Sequence, residues 1–303
     1  MKKVIIENLS KSYGKVRAVE DFSLEVEEGE IFALVGPDGA GKTTLMALLC
    51  DLINPDKGSA TIAGYNVHKD FRRIKPLLGY MPQVFSLYPD LSVEENMIFY
   101  AGIYGVTGQA YREKRDRMYS FSNLGPFANR RAEALSGGMK QKLALSCALM
   151  HDPELLILDE PTTGVDPLSR QQFWEILLDL RKQGVTIIVA TPYMDEVARA
   201  ERACFVYGGK KLAQGTPPEL SRTFTGKVYR LDREPSRELV DRLNDIPELT
   251  ARRFGSSIHL YTEERVSDQA VIESLRRANV EIDNLPAVAP SLEDAFIQRM
   301  EQV

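Results

Sequence analysis

The segment Gly36-Pro37-Asp38-Gly39-Ala40-Gly41-Lys42-Thr43-Thr44 follows a short apolar run, 31–35, and opens a helix-like stretch, Thr43–Cys50. Its first eight residues fit G-x-x-x-x-G-K-[ST], and a strand before and a helix after are the context that makes this pattern a phosphate cradle. Glycines let backbone N–H groups turn inward and approach phosphates closely, and the helix N-terminus adds a favourable dipole. Gly36, Asp38, Gly39, Ala40, Gly41, Lys42, Thr43 and Thr44 are therefore the candidates to line a nucleoside triphosphate. Lys42 is expected to reach the β/γ-phosphates, and the Thr43 hydroxyl to ligate Mg²⁺. Alone, the motif does not say which family of nucleotide-binding proteins is present.

Leu155-Leu156-Ile157-Leu158-Asp159-Glu160-Pro161 reads as an apolar strand ending in two carboxylates. Such strand ends face the ligand crevice of open α/β sheets. Asp159 is expected to hold Mg²⁺ directly or through water, and Glu160 to orient and deprotonate an attacking water. Solvation of a strand end is the plainer reading, and the phosphate cradle argues against it by supplying the other half of a site. Leu135-Ser136-Gly137-Gly138-Met139 is a second glycine-rich helix start. The Ser136 hydroxyl and the Gly138 N–H could hold an anion there. By itself the segment is equally a turn that caps a helix.

The elements that must position these groups alternate. Residues 3–9, 20–27 and 31–35 read as strands. Ser92-Val93-Glu94-Glu95 has capping-box spacing, followed by a helix that places Val93, Met97, Ala101 and Tyr104 near one face. Gly105–Ala134 is polar and helix-rich, with a break at Gly125-Pro126. Gly138–Met150 reads as helix, Leu155–Leu158 as strand, Leu168–Gln183 as helix, Val185–Ala190 as strand and Tyr193–Ala203 as helix. Nearly all-apolar strands between helices imply a parallel sheet covered on both faces. A domain boundary is expected at Thr225-Gly226. Beyond it come strand 227–231, helix 236–244, strands 248–254 and 257–262, helix 267–278 and strand 280–285. That βαββαβ order is that of a ferredoxin-like domain. Ser291–Met300 reads as a final helix, with Ser291 as cap and Asp294 in its first turn.

The cradle, the Ser-Gly-Gly helix start and the carboxylate strand, in that order, resemble the ATP-binding subunit of an ABC transporter. The resemblance covers roughly residues 1–225. It implies an α/β P-loop fold of ABC type, with a parallel-sheet core, an antiparallel β subdomain and a helical subdomain near 84–150. It implies ATP and Mg²⁺ as cofactors. It implies also a second ATPase subunit, the same chain or a sister, whose P-loop phosphate would be bound by Ser136 and Gly138. The usual fifth residue of that signature is Gln, and Met139 departs from it. Tyr13, in Lys11-Ser12-Tyr13-Gly14, falls where the family stacks an aromatic on adenine; the alternative is a solvent-facing turn tyrosine. Gln83, in Tyr80-Met81-Pro82-Gln83, falls at the loop that senses Mg²⁺ and the γ-phosphate, or is a plain turn residue. Asp166, in Gly164-Val165-Asp166-Pro167, matches a loop that crosses to the partner subunit, or caps the next helix. The aromatics Phe85, Tyr88, Phe99, Tyr100 and Tyr104 are either core of the helical subdomain or a groove for a cytoplasmic helix of a membrane subunit. Glu160, Lys42 and Gln83 are the implied catalytic residues, and Thr43, Gln83 and Asp159 the implied metal site.

One departure is informative. The family usually places a histidine after the last core strand, where it bonds the γ-phosphate. Here the run is Val189-Ala190-Thr191-Pro192-Tyr193-Met194-Asp195-Glu196, and Pro192 holds that position. The histidines, His68, His151 and His259, lie elsewhere. Proline suits the first turn of a helix and Thr191 could cap it. The loop shape then survives while the donor is lost, unless a neighbour or water replaces it.

Ser291-Leu292-Glu293-Asp294-Ala295-Phe296-Ile297 is similar to the ending of ATPases that serve ABC-2-type exporters, including multidrug and drug-resistance systems. Gly79–Gln83 and Leu135–Lys142 also look like that branch. The implied function is ATP hydrolysis that powers export through separate ABC-2-type permease subunits, with the chain peripheral on the cytoplasmic face of the membrane. Two alternatives stand beside it. A soluble ABC ATPase not tied to transport normally carries two ATPase domains or a long insertion. A nucleotide-gated regulatory module with little turnover is what Pro192 points to.

Composition agrees. The 303 residues, 44% apolar and 27% charged, suit one large and one small domain of a soluble globular protein. No uninterrupted apolar run of about 18 residues offers a membrane span. Met1-Lys2-Lys3-Val4 lacks the apolar stretch of a signal peptide. The net charge of −5 argues against nucleic acid as a partner. Cys50, Cys147 and Cys204 have no metal-ligand spacing and are expected to be reduced, buried thiols.

Overall fold

A computed structural model describes residues 1–302 except 281, 283 and 284. The chain divides into two compact units, Met1–Pro217 and Pro218–Val303. The boundary expected at 225/226 sits one short helix further along.

The first unit begins with two long strands, β1 (Lys2–Tyr13) and β2 (Val16–Glu27), then β3 (Ile31–Val35) and α1 (Lys42–Leu49). Next come β4 (Lys57–Ile62), β5 (Tyr65–Asn66), α2 (Phe71–Ile74) and β6 (Leu78–Met81). The helical subdomain holds α3 (Val93–Ile103), α4 (Gly108–Ser122) and α5 (Gly137–Ala148). The unit closes with β7 (Leu155–Asp159), α6 (Pro167–Lys182), β8 (Thr186–Thr191), α7 (Met194–Val197), β9 (Arg202–Tyr207), β10 (Lys210–Gly215) and the start of α8 (Pro217–Ser221).

Two sheets result. β2-β1-β4-β5 is antiparallel, and the main sheet runs β10-β9-β3-β8-β7-β6. In the main sheet β9, β3, β8, β7 and β6 are mutually parallel, and only β10 is antiparallel. Every residue of β3, β7 and β8 is buried, as continuous apolar runs in a doubly covered sheet require. A core of Phe22, Phe32, Leu34, Leu45, Met46 and Ile157, among others, packs around these strands. The capping box expected at Ser92 is present, with Glu95 as its reciprocal partner. The break at Gly125-Pro126 is a turn of 3₁₀ helix.

The helix expected over 193–203 is not formed as such. Only Met194–Val197 is helical, and β9 begins at Arg202. The apolar residues Ala203, Cys204, Phe205 and Val206 are buried in the sheet, where burial on both faces outweighs the helical pattern of the preceding turn.

The second unit contains β11 (Lys227–Leu231), α9 (Arg237–Asn244), β12 (Thr250–Phe254), β13 (Ser257–Thr262), α10 (Asp268–Arg277), β14 (Ala287–Val288) and α11 (Leu292–Glu301). Its sheet order is β12-β13-β11-β14, and every neighbouring pair is antiparallel. With the βαββαβ chain order this is the ferredoxin-like arrangement. The strand expected at 280–285 falls partly on residues outside the described set, and the fourth strand lies at Ala287–Val288. Leu239 and Leu243 of α9 and Val271 and Leu275 of α10, each pair one helical turn apart, fill the core against Tyr229, Ile258 and Leu260. Cys50, Cys147 and Cys204 are free and buried, and burial pushes each thiol well above its ordinary range.

Candidate active site

β3 delivers Gly36 at its C-terminal end, and the loop from there to α1 is tied down by backbone. The Gly209 N–H donates to the Ala40 carbonyl at 3.0 Å, and the Glu20 N–H to the Gly209 carbonyl at 2.9 Å. A Cβ at Gly36 would lie 2.1 Å from the Val206 carbonyl oxygen, and one at Gly41 2.2 Å from that of Ala18. Gly41 also has φ +103°, where side chains are strained. The loop's own packing therefore demands both glycines before any phosphate is considered. Asp38 and Gly39 form the exposed tip, Ala40 is buried, and Thr43 and Thr44 occupy the first turn of α1.

Lys42 is buried and folded back under the loop. Its Nζ donates to the Gly36 carbonyl at 2.8 Å and the Pro37 carbonyl at 3.0 Å, and lies 3.2 Å from Glu160 Oε1. Gln83 Nε2 donates to Glu160 Oε2 at 3.0 Å, and Thr163 Oγ1 donates to the same oxygen at 3.2 Å. Three residues thus orient one carboxylate. Its backbone is also constrained: Glu160 has φ +48°, the left-handed region, held by its N–H to the Ala190 carbonyl at 2.9 Å. Such a backbone costs about 1–3 kcal/mol and persists where surroundings over-determine it.

Asp159 is fully buried, and neither carboxylate oxygen has a hydrogen-bond partner. Burial pushes its carboxyl above the usual range; the Thr43 hydroxyl, near but not placed for a hydrogen bond of good geometry, and Lys42 oppose this, while Glu160 adds to it. An orphaned buried carboxylate beside an alcohol suits a hard cation that keeps few protein ligands. Among the described residues no cluster of three His, Cys, Asp or Glu could hold a metal.

β8 lies between β3 and β7, with Thr191 beside Val35 and Ala190 beside Asp159. The next residue, Pro192, therefore sits at the strand-end edge between the cradle and the carboxylates. Its local structure differs from expectation. Tyr193 is the N-terminal boundary residue of α7, so Pro192 precedes the helix rather than entering its first turn. Thr191 does not cap α7; its Oγ1 accepts from the Tyr193 N–H at 3.1 Å.

The remaining candidates lie on other elements and make no hydrogen bond or ion pair with this cluster among the described residues. Tyr13 ends β1, is half exposed, and has Lys11 Nζ 5.9 Å from its ring centroid. Ser136 precedes α5 and accepts from the Met139 N–H at 3.4 Å. A Cβ at Gly138 would come within 2.7 Å of the Ser169 side chain, so the starts of α5 and α6 are packed tightly together. Asp166 caps α6, accepting from the Ser169 N–H at 2.9 Å, and the Ser169 hydroxyl together with that bond holds its carboxyl below the usual range.

Sequence reasoning missed Thr162, Thr163, Arg170 and Glu196. Glu196 is buried and accepts from Thr162 Oγ1, and from Thr191 Oγ1 at 2.6 Å. Nothing in an Asp-Glu pair before an apolar residue marks one of the two as buried.

Residues 19–163 match the ABC transporter family. The chain is 40% identical over 285 residues to the probable multidrug ABC transporter ATP-binding protein YbhF of Escherichia coli, covering 92% of this chain but 48% of that protein. It thus spans about half the length of that relative. It is 34% identical to the Nod factor export ATP-binding protein I of Rhizobium etli, over 96% of this chain and 91% of the relative. It is 37% identical to the linearmycin resistance ATP-binding protein LnrL of Bacillus subtilis, over 73% of this chain and 71% of the relative. Among solved structures, the ATP-binding subunit of an ABC transporter aligns with TM-score 0.67 and 28% identity, over 73% of this chain and 92% of that one. A dimeric ATP-binding cassette in a post-hydrolysis state with ADP and Pi aligns with TM-score 0.64 and 26% identity, over 70% and 98%. With the cradle, the carboxylate strand and these likenesses extending along most of its length, the chain belongs to the ATP-binding proteins of ABC transporters.

Proposed function

We propose that this chain hydrolyses ATP and powers export through separate membrane permease subunits of the ABC-2 type. The observation that carries the reading is the meeting of Lys42, Gln83 and Glu160 at the strand ends: 3.2 Å from Lys42 to Glu160 and 3.0 Å from Gln83 to Glu160. The buried, unpartnered Asp159 stands next to them in sequence.

In this reading the residues 36–44 cradle the triphosphate and Lys42 leaves its carbonyl partners to neutralise the β/γ-phosphates. Tyr13 stacks on adenine. Thr43, Asp159 and Gln83 are the residues that would hold Mg²⁺, which when bound supplies charge neutralisation on the phosphates. Glu160 orients a water and takes its proton as the water oxygen bonds to the γ-phosphorus and the bond to the β-phosphate oxygen breaks, leaving ADP and phosphate. Catalysis is mainly positioning and charge stabilisation. Ser136 and Gly138 complete the site of a second ATPase subunit, the same chain or a sister, so that two nucleotides lie between head-to-tail subunits.

Among the described residues no helix is long and apolar enough to cross a membrane. In this reading the chain attaches to the cytoplasmic face of the membrane through the permease. The docking surface is a groove of about 460 Å³ lined by Tyr80, Val84, Phe85, Tyr100, Tyr104 and others. None of the aromatics Phe85, Tyr88, Phe99, Tyr100 and Tyr104 is fully buried, which favours the groove over the core reading. Ile98, Phe99 and Ile103 are also left exposed. Pro192 favours a second reading, a nucleotide-gated module with little turnover.

The test is ATP hydrolysis by the purified chain, alone and with a co-purified membrane subunit. Stimulation by the membrane subunit supports the transport reading. Equal turnover with and without it points to an ATPase not tied to transport, and ATP binding without turnover in either state points to the gated module.

A further inference from the structure

Outside the groups assigned above, a buried polar network in the first unit centres on Glu196. Its side chain is 1% exposed. Thr162 Oγ1 donates to Oε1, and Thr191 Oγ1 donates to Oε2 at 2.6 Å. Both hydroxyls are themselves buried. Thr162 lies two residues after Glu160, on the loop that leads to Asp166. Thr191 ends β8 and immediately precedes Pro192. One carboxylate therefore ties together the two loops that flank the reacting phosphate in the proposed mechanism.

A third element is attached to the same group. Arg170, in the first turns of α6, has its Nε 3.7 Å from Glu196 Oε1, and its guanidinium lies 4.1 Å from the centroid of the Tyr193 ring. The neighbouring Ser169 is the residue against which Gly138 packs. The start of α6 thus touches the Glu196 cluster on one side and the Ser-Gly-Gly helix on the other. A buried carboxylate with two short hydroxyl donors is a rigid joint, because losing either donor would leave a buried polar group unpaired, and the guanidinium adds opposite charge beside it.

We propose that Glu196 is a positioning residue for hydrolysis: through Thr162 it fixes the loop carrying Glu160, and through Thr191 the loop carrying Pro192. This rests on the reading of the chain as an ATPase. The bond between Tyr193 N–H and Thr191 Oγ1 means that the same hydroxyl also shapes the turn after Pro192. Loosening either threonine should misplace catalytic groups without removing a phosphate contact. The loss should therefore fall on kcat and leave KM and nucleotide affinity near wild type, since misplacement of about 1 Å costs on the order of a hundred-fold in rate.

The experiment compares Thr162→Val, Thr191→Val, Thr162→Ser, Thr191→Ser and Glu196→Gln in the full chain by steady-state hydrolysis and by titration with a fluorescent ATP analogue. Wild type and Glu160→Gln are run alongside. Hydrolysis by wild type that Glu160→Gln removes shows that the ATPase reading stands, so its failure and that of the Glu196 role are separable. The valine variants keep side-chain shape but lose the hydroxyl, and are expected to lose about ten-fold or more in kcat. The serine variants are expected to recover most of it. Valine variants at the wild-type rate overturn the proposal, as do serine variants as slow as the valine ones, which would make packing the cause. If the valine variants do not fold, Glu196→Gln decides: a folded protein with unchanged kcat overturns it, and a lowered kcat with unchanged nucleotide affinity supports it.

Discussion

Replacing Pro192 with histidine asks whether the strand-end loop limits turnover. Because β8 is held between β3 and β7, the residue after Thr191 is placed between the cradle and the two carboxylates. Proline brings neither an N–H nor a side-chain donor to that position. An imidazole brings one. A hydrogen bond to a charged group is worth about 1.5–3 kcal/mol. Felt wholly in the transition state, that converts to about 10–150-fold in rate. Against it stands the added backbone freedom when proline is lost, worth about 0.4–1 kcal/mol and taken mainly from stability. The loop keeps its other restraints, since the Tyr193 N–H and Glu196 both bond to the Thr191 hydroxyl. Pro192 is half-buried, so the new ring has room to turn. The expected outcome is a several-fold rise in single-turnover hydrolysis of Pro192→His over wild type under saturating ATP. In the proposed two-subunit arrangement only the chain's own cradle should benefit, because Ser136 and Gly138 would serve the partner's. With a sister subunit that carries a histidine in the matching loop, one slow and one fast site would then become two fast ones. An unchanged or lower rate in a folded variant refutes the reasoning: the γ-phosphate donor would come from elsewhere, and the idea of unequal sites would lose its support.

Tyr13→Ala should weaken ATP binding by about ten-fold or more, since base–aromatic stacking is worth about 1–3 kcal/mol, while Tyr13→Phe stays mild; equal affinities in nucleotide titrations contradict the stacking role. Glu160→Gln should retain ATP and lower kcat by about 10²–10⁴-fold, the range of a general base, trapping an ATP-bound dimer seen as a mass shift on size exclusion with ATP·Mg²⁺. A variant that stays monomeric, or turns over at the wild-type rate, contradicts both the role and the two-subunit site. In the second unit burial disfavours ionised Asp294, yet bonds from Tyr261, Ser291 and His259 outweigh it and hold the carboxyl below its usual range. A depressed folded-state pKa gives stability that is present above the ordinary carboxylate value of about 4 and is lost as pH falls through the lower folded value. Asp294→Asn should therefore lower the melting temperature at neutral pH and flatten its fall in acid, and melting curves with the same acid slope as wild type would exclude this.

By itself the sequence determined the local chemistry and most of the elements. The cradle is legible because its requirements are local: closely spaced glycines, one lysine and the hydroxyl next to it, between a strand and a helix. The parallel core is legible because strands buried on both faces leave uninterrupted apolar runs such as 155–158. The second unit's βαββαβ order is legible because Leu239 and Leu243, or Val271 and Leu275, sit one helical turn apart between alternating strands. Tertiary structure decided what depends on distant pairings. Register in the main sheet put Thr191 beside Val35 and Ala190 beside Asp159, and so placed Pro192. Burial of 203–206 as a sheet strand cut the expected helix after Tyr193 to a single turn. The left-handed backbone of Glu160 and the joint at Glu196 are likewise invisible in one dimension, since each is imposed by groups up to tens of residues away rather than by neighbours in the chain. Residue type says which chemistry is available, and only packing says which carboxylate is buried, oriented and left without a partner.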